Sequence, residues 1–210
     1  IYYKNRYLSN SINKAIHYLT LSANQNNSNA QLYLGMIYYV AEYVTREIDK
    51  VIYYLTLAAN QNDDVAQYHL GMIYYDARFV LRDINKAIHY LTLSANNNND
   101  DALYQLGLIY YEAKFVYRDI NKTIHYLTIS ANQNNDDALY FLGMIYYEAK
   151  FVQRDVRKAI YYLTLASNQN NGNAQYNLGM IYLKAEFVSR DINKAIHYLT
   201  LAANQNNDYA

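Results

Sequence analysis

The chain has 210 residues and a formal charge of zero, from 18 basic and 18 acidic side chains, so no basic excess points to nucleic acid. It has no cysteine, which excludes a disulfide framework and cysteine-based zinc sites and favours a reducing, cytoplasmic compartment. No run reaches the roughly 18 apolar residues of a membrane span, and no signal peptide is visible.

A phrase typified by Ile84-Asn85-Lys86-Ala87-Ile88-His89-Tyr90-Leu91-Thr92 recurs every 36 residues, starting at Ile12, Ile48, Ile84, Ile120, Val156 and Ile192. Such a period marks units that cannot bury their own apolar face and must stack on neighbours. The expected organisation is one array over 1–210. It consists of a partial repeat 1–27, repeats 28–63, 64–99, 100–135, 136–171 and 172–207, and the start of another at 208–210.

Within the repeat 64–99, Ala66, Leu70, Ile73, Tyr74 and Ala77 recur at helical spacings, with Asp63 or Asp64 placed to cap the start. A second helix is predicted from Asp83, with Ala87, Ile88, Leu91, Thr92 and Ala95 as its apolar stripe. Its end, Asn96 to Asp100, is rich in residues that tolerate left-handed backbone. Each helix is expected to run about 13 residues. Glycine holds one phase of the first helix at Gly35, Gly71, Gly107, Gly143 and Gly179. An interior glycine costs a helix about 1 kcal/mol, so five copies imply that a Cβ would strike the partner helix. Gly107→Ala is expected to lower the melting temperature. The 28 tyrosines mostly sit at fixed phases, such as Tyr38, Tyr74, Tyr110, Tyr146 and Tyr182, and are read as packing.

The run Ala138-Leu139-Tyr140-Phe141-Leu142-Gly143-Met144-Ile145-Tyr146-Tyr147, followed by Val152, Asp155 and Lys158-Ala159, resembles the Sel-1-like repeat family, a relative of the tetratricopeptide repeat. The resemblance covers essentially the whole chain. It implies an all-α fold, a right-handed α-α superhelix (solenoid) of antiparallel helix pairs, acting as a non-enzymatic adaptor for protein complexes. The chain departs from the family at its loops. Ala41, Ala77, Ala113, Ala149 and Ala185 stand where the family has its first loop glycine; Tyr43, Phe79, Phe115, Phe151 and Phe187 stand at the second. Asn62, Asn98, Asn134 and Asn170 replace the glycine after the second helix and keep a left-handed tolerance. Alanine lacks that tolerance, so the turn is expected to have no positive-φ residue there and the first helix to extend further. Uniform alanine and the absence of proline keep an engineered array as an alternative, against which Val51, Thr123 and Arg157 favour natural drift.

In tetratricopeptide-type solenoids the first helices line the concave groove, so the resemblance makes their variable face the candidate binding surface. The face holds Tyr33 and Met36, then His69, Met72 and Asp76, then Asp101, Gln105 and Glu112. Asp137, Phe141, Met144 and Glu148 follow, and then Asn177 and Lys184. Five carboxylates (Asp76, Asp101, Glu112, Asp137, Glu148), a deformable methionine row and the aromatic anchors Tyr33 and Phe141 predict a basic, partly apolar protein or peptide partner. The alternative is an ordinary solvated helix face on a structural spacer. No cofactor, metal, nucleic acid or membrane is expected as a partner.

His17, His89, His125 and His197 share a phase with Tyr53 and Tyr161, a substitution that suits packing and not a zinc site. Arg46, Arg82, Arg118, Arg154 and Arg190 precede the acidic cap phase, and Lys50, Lys86, Lys122, Lys158 and Lys194 follow it. The recurring lysine is expected to have a structural partner, such as the cap carboxylate three residues earlier; phosphate binding is the functional alternative. A hydrolase is a remote third reading, since the family members that suggest it are cysteine-rich. Ile1-Tyr2-Tyr3 falls at the phase of Ile37-Tyr38-Tyr39, and Asn207-Asp208-Tyr209-Ala210 enters a new repeat. The chain therefore reads as a segment of a longer protein, with uncapped ends open to end-to-end association.

Overall fold

The structure, a computed structural model, describes residues 2–40 and 47–205, with side chains from Ser11 onward. The expectations at Ile1, Ala41, Tyr43, Arg46 and Asn207–Ala210 lie outside the described residues. Those residues form eleven helices and no strand: α1 (Tyr2–Asn24), α2 (Ser28–Val40), α3 (Ile48–Asn60), α4 (Asp64–Asp76), α5 (Ile84–Asn96), α6 (Asp100–Glu112), α7 (Ile120–Asn132), α8 (Asp136–Glu148), α9 (Val156–Asn168), α10 (Gly172–Lys184) and α11 (Ile192–Ala203). From α2 to α10 every helix has 13 residues, as the repeat predicts. The chain divides into two compact units, Ile1–Ala102 and Leu103–Ala210.

Capping sets the frame. Asp63 accepts a hydrogen bond from the Ala66 amide, and Asn27, Asn99, Asn135 and Asn171 do the same for the other first helices, at 2.8–2.9 Å. Asp83, Asp119, Asp155 and Asp191 cap the second helices by accepting from the amides of Lys86, Lys122, Lys158 and Lys194, each at 3.0 Å. Each such cap is worth about 1 kcal/mol. Within a repeat the helices are antiparallel. The Ser94 hydroxyl donates to the Asp64 carbonyl at 2.7 Å, whereas at the other end of α4 the Tyr74 ring stacks on Tyr90.

Both cores are leucine-centred. In the first unit Leu34, Leu55 and Leu70 are fully buried, and in the second Leu127, Leu142, Leu163 and Leu178. The repeated glycine lies against a leucine of the facing helix: a Cβ on Gly71 would stand 2.6 Å from Leu91 Cγ, and one on Gly107 would stand 2.7 Å from Leu127 Cγ. The steric reading of the glycine phase holds.

The loop expectation is overturned. Ala77, Ala113, Ala149 and Ala185 all lie in the left-handed region, with φ of 57°, 55°, 57° and 54°. They end the first helices, which therefore do not extend: the Ala77 amide donates to the Ile73 carbonyl at 3.2 Å, and Ala113, Ala149 and Ala185 make the same bond. Beyond the turn, the Asp83 amide donates to the Tyr74 carbonyl at 3.2 Å, closing the loop so that the second helix can return. That geometry is set by the tertiary arrangement and not by alanine's own preference, which is against it by about 1–2 kcal/mol. The asparagines after the second helices behave as predicted, with positive φ at Asn62, Asn98, Asn134 and Asn170.

Side-chain amides also join the two helices of a repeat, tying the turn after the second helix to the start of the first. In the first unit Gln61 Nε2 donates to Gln31 Oε1 at 2.7 Å, Asn97 Nδ2 to the buried Gln67 Oε1 at 3.1 Å, and Asn99 Nδ2 to Asp64 Oδ2 at 2.9 Å. In the second, Asn171 Nδ2 donates to Asp136 Oδ2 at 2.9 Å and Gln205 Nε2 to Gln175 Oε1 at 3.1 Å. The donors are the Asn- and Gln-rich turns that the sequence offered only as helix ends.

Candidate functional site

The recurring cations are engaged within the scaffold. Lys50 lies 2.9 Å from Glu47, and Lys86, Lys158 and Lys194 lie 3.5–4.0 Å from their cap aspartates. Each of these lysines, and Lys122, also sits 4.6–5.0 Å from the centre of a tyrosine ring: Tyr38, Tyr74, Tyr110, Tyr146 or Tyr182. Those rings stack on Tyr54, Tyr90, Tyr126, Tyr162 and Tyr198 with centroids 6.1–6.3 Å apart. The tyrosine phase read as packing is packing, and it holds the lysine above it. Arg82, Arg118 and Arg154 donate from Nε to the carbonyls of Tyr75, Tyr111 and Tyr147 at 2.9–3.0 Å, closing the ends of the first helices. Described members of the histidine phase are exposed on the second helices, each edge-on to the adjacent tyrosine, as in His89 on Tyr90. Among the described residues no three acidic or histidine side chains are grouped to hold a metal ion.

The variable face of the first helices is set out unit by unit. In the first unit Tyr33 is 59% exposed, Met36 and Met72 are half-buried, and Asp76 and Asp101 are exposed. His69 is half-buried, and burial lowers its pKa, which the Asp63 carboxylate only partly opposes. The imidazole is therefore neutral in the fold near neutral pH. Burial, then the adjacent Asp100, raises the carboxyl of Asp101. In the second unit Glu112, Asp137, Glu148 and Lys184 are exposed, and Gln105, Phe141, Met144 and Asn177 are half-buried. Glu112 pairs with Lys114 at 3.0 Å, and Asn177 Nδ2 donates to the Asn173 carbonyl at 2.9 Å.

Beside these residues stands a set of tyrosines that the sequence reading did not assign to the face. Burial, followed by the carboxylates of Asp101 and Asp76, raises the Tyr68 phenol. Tyr104 is pushed up to about 12, by burial first and then by Asp137, with smaller contributions from Tyr140, Asp136 and Glu112. Burial and Glu148 raise both Tyr111 and Tyr140. Within each unit these phenols thus lie close enough to candidate carboxylates to feel their charge, and the signal was present: Tyr104 and Tyr140 each adjoin a variable position, Gln105 and Phe141. The phase itself, Leu32, Tyr68, Tyr104, Tyr140 and Tyr176, is close to constant and so looks like scaffold.

An alkaline titration tests this placement. A tyrosine whose folded pKa lies above its unfolded value stabilises the fold fully below about pH 10 and loses that contribution as the pH rises through about 12. Tyr104→Phe is expected to remove one late-ionising phenol from the ultraviolet titration and to move alkaline unfolding to higher pH. An unchanged late fraction would place Tyr104 in open solvent.

The Sel1 repeat model matches residues 2–27, 28–63, 64–99, 100–135, 136–171 and 172–207. Among solved structures, the chain is similar to a Sel1 repeat protein from Oxalobacter formigenes, with 29% identity, a TM-score of 0.80, and coverage of 91% of this chain and 79% of that one. It is also similar to a protective antigen of uropathogenic Escherichia coli that displays the same fold, at 27% identity and a TM-score of 0.80. That match covers 90% of this chain and 41% of the antigen. An immunity protein from Pseudomonas aeruginosa shares the fold alone, at 19% identity and a TM-score of 0.62, over 92% of this chain and 74% of that one. Comparison with curated protein sequences finds no match. Sel1 repeat proteins are in general protein-interaction scaffolds, and the fold is typically non-catalytic. Among the described residues no helix is long and apolar enough to cross a membrane. With all six segments matched and the helix-pair fold shared, the chain belongs to the Sel1 repeat family.

Proposed function

We propose that the chain is a non-catalytic adaptor whose first-helix faces bind a basic, partly apolar peptide or helix of a partner protein. The observation that carries this reading is the pairing of carboxylates with half-buried phenols on those faces. Asp76 and Asp101 lie near Tyr68 in the first unit, and Asp137 and Glu148 near Tyr104 and Tyr140 in the second. Carboxylates steer and orient a cationic chain, while the aromatic and methionine surface gives its apolar side chains something to cover. The variable residues Tyr33, His69, Gln105, Phe141 and Asn177 differ from repeat to repeat and would set which segment is accepted.

A displayed peptide library selected on the parent and on the Asp76→Lys, Glu112→Lys, Glu148→Lys triple variant tests the proposal. Basic, apolar-anchored peptides are expected to enrich on the parent alone, and the variant to bind them about 100-fold more weakly at low salt. Enrichment on neither protein would favour a spacer without a ligand. Equal affinity for both would move binding off this face.

A further inference from the structure

In the second unit Tyr111 of α6 and Tyr140, Phe141, Met144, Ile145 and Glu148 of α8 line a half-open cavity of about 100 Å³. One water needs only roughly 10–15 Å³ by the same kind of measure, so the space admits a group of several heavy atoms. Its walls are three aromatic rings and a thioether. Phe141 stands edge-to-face with Tyr111, centroids 5.0 Å apart and planes at 83°. Among the described residues the Glu148 side chain has no ion-pair partner, and its charge raises both lining phenols after burial has done so.

We propose that this cavity is an aromatic cage for a methylated lysine of the partner peptide, which it holds by ring faces and the Glu148 carboxylate. The inference rests on the adaptor reading above and names the group that the second unit selects. An unmodified ammonium carries three strongly hydrated donors. Apart from Glu148 this cavity offers only two phenol oxygens, and that of Tyr140 already accepts from Asn177 Nδ2 at 3.5 Å. Each methyl group removes one donor while keeping the charge, and with all three gone in trimethyl-lysine aromatic faces replace water at little cost.

The other repeats supply internal controls. One repeat later the same phases read Tyr147, Tyr176, Asn177, Met180 and Lys184, with a cation where the cage has its carboxylate. In the first unit they read Tyr39, Tyr68, His69, Met72 and Asp76, with an imidazole where the cage has Phe141. Phenylalanine and glutamate coincide only in α8. Because Gln105 and Lys184 fill these phases elsewhere in the chain, Phe141→Gln and Glu148→Lys are substitutions the repeat already accommodates.

The four methionines, Met36, Met72, Met144 and Met180, occupy one phase of four repeats and give four methyl reporters for NMR. The whole chain would be titrated with tetramethylammonium chloride, with ammonium chloride at equal ionic strength, and with neutral tert-butanol. Met144 alone is expected to shift saturably, and only with tetramethylammonium. F141Q and E148K are each expected to weaken that binding about tenfold. A silent Met144, equal response to ammonium or tert-butanol, or unchanged affinity in F141Q would overturn the cage. Basic peptides enriching on a chain whose Met144 stays silent remove the cage and leave the groove. A responsive Met144 without peptide enrichment keeps the cage and removes the groove.

Discussion

Replacing Ala77, Ala113, Ala149 and Ala185 together by glycine is expected to stabilise the protein by about 2–4 kcal/mol, read as a higher denaturation midpoint with an unchanged denaturant slope. All four alanines end a first helix at φ between 54° and 57°. In that region an L-side chain crowds the following carbonyl at about 1–2 kcal/mol, which glycine avoids. Glycine gives back about 0.4–1 kcal/mol through its freer unfolded chain, leaving about 0.5–1 kcal/mol per site. The sites lie one repeat apart and share no partner, so their effects should add. Each single variant should show about a quarter of the gain. A loss at all four would mean that the alanines do not hold the left-handed geometry.

The opposite exchange at another phase is expected to be costly. A Cβ on Gly143 would stand 2.6 Å from Leu163 Cγ and 3.2 Å from the Ala159 carbonyl oxygen. Leu163 is fully buried, and the carbonyl belongs to the backbone of α9, so neither can withdraw without moving the helix. Overpacking of this kind costs about 1–3 kcal/mol, more than the roughly 1 kcal/mol that alanine adds in helix propensity. Gly143→Ala should therefore lower the thermal midpoint. Gly107→Ala should do so less, because its Cβ meets Leu127 Cγ at 2.7 Å but the nearest carbonyl, that of Thr123, only at 3.5 Å. A rise in either variant would contradict the close packing of the helix pair.

The repeat made the fold legible because it separates residues that must be the same from residues free to differ. Ala66, Leu70 and Gly71 recur for one reason, the neighbouring helix, and the helix pair follows from them. The same logic hid two features. Ala77 recurs in a conformation that alanine disfavours, so propensity pointed to a longer helix while loop closure onto Asp83 decided otherwise. Tyr74 stands in a constant phase and Tyr104 in one broken only by Leu32, yet one stacks within the repeat and the other lies among surface carboxylates. Periodicity records that a position is constrained, not which side of the helix constrains it. The pairing of Tyr111 with Phe141 spans two repeats, and no pattern within a single repeat reveals it.

The amide contacts that close three of the repeats keep a constant offset: Gln31 with Gln61, Gln67 with Asn97, and Gln175 with Gln205. Each of these contacts is uncharged and held in full by one 36-residue repeat, whereas Leu103 and Leu139 fill the acceptor phase of the other two. Recombination that removes or duplicates one whole repeat would carry donor and acceptor together. The number of units becomes a heritable variable that can change in one genetic event, while single substitutions at Tyr33, Gln105 or Phe141 change what each unit presents.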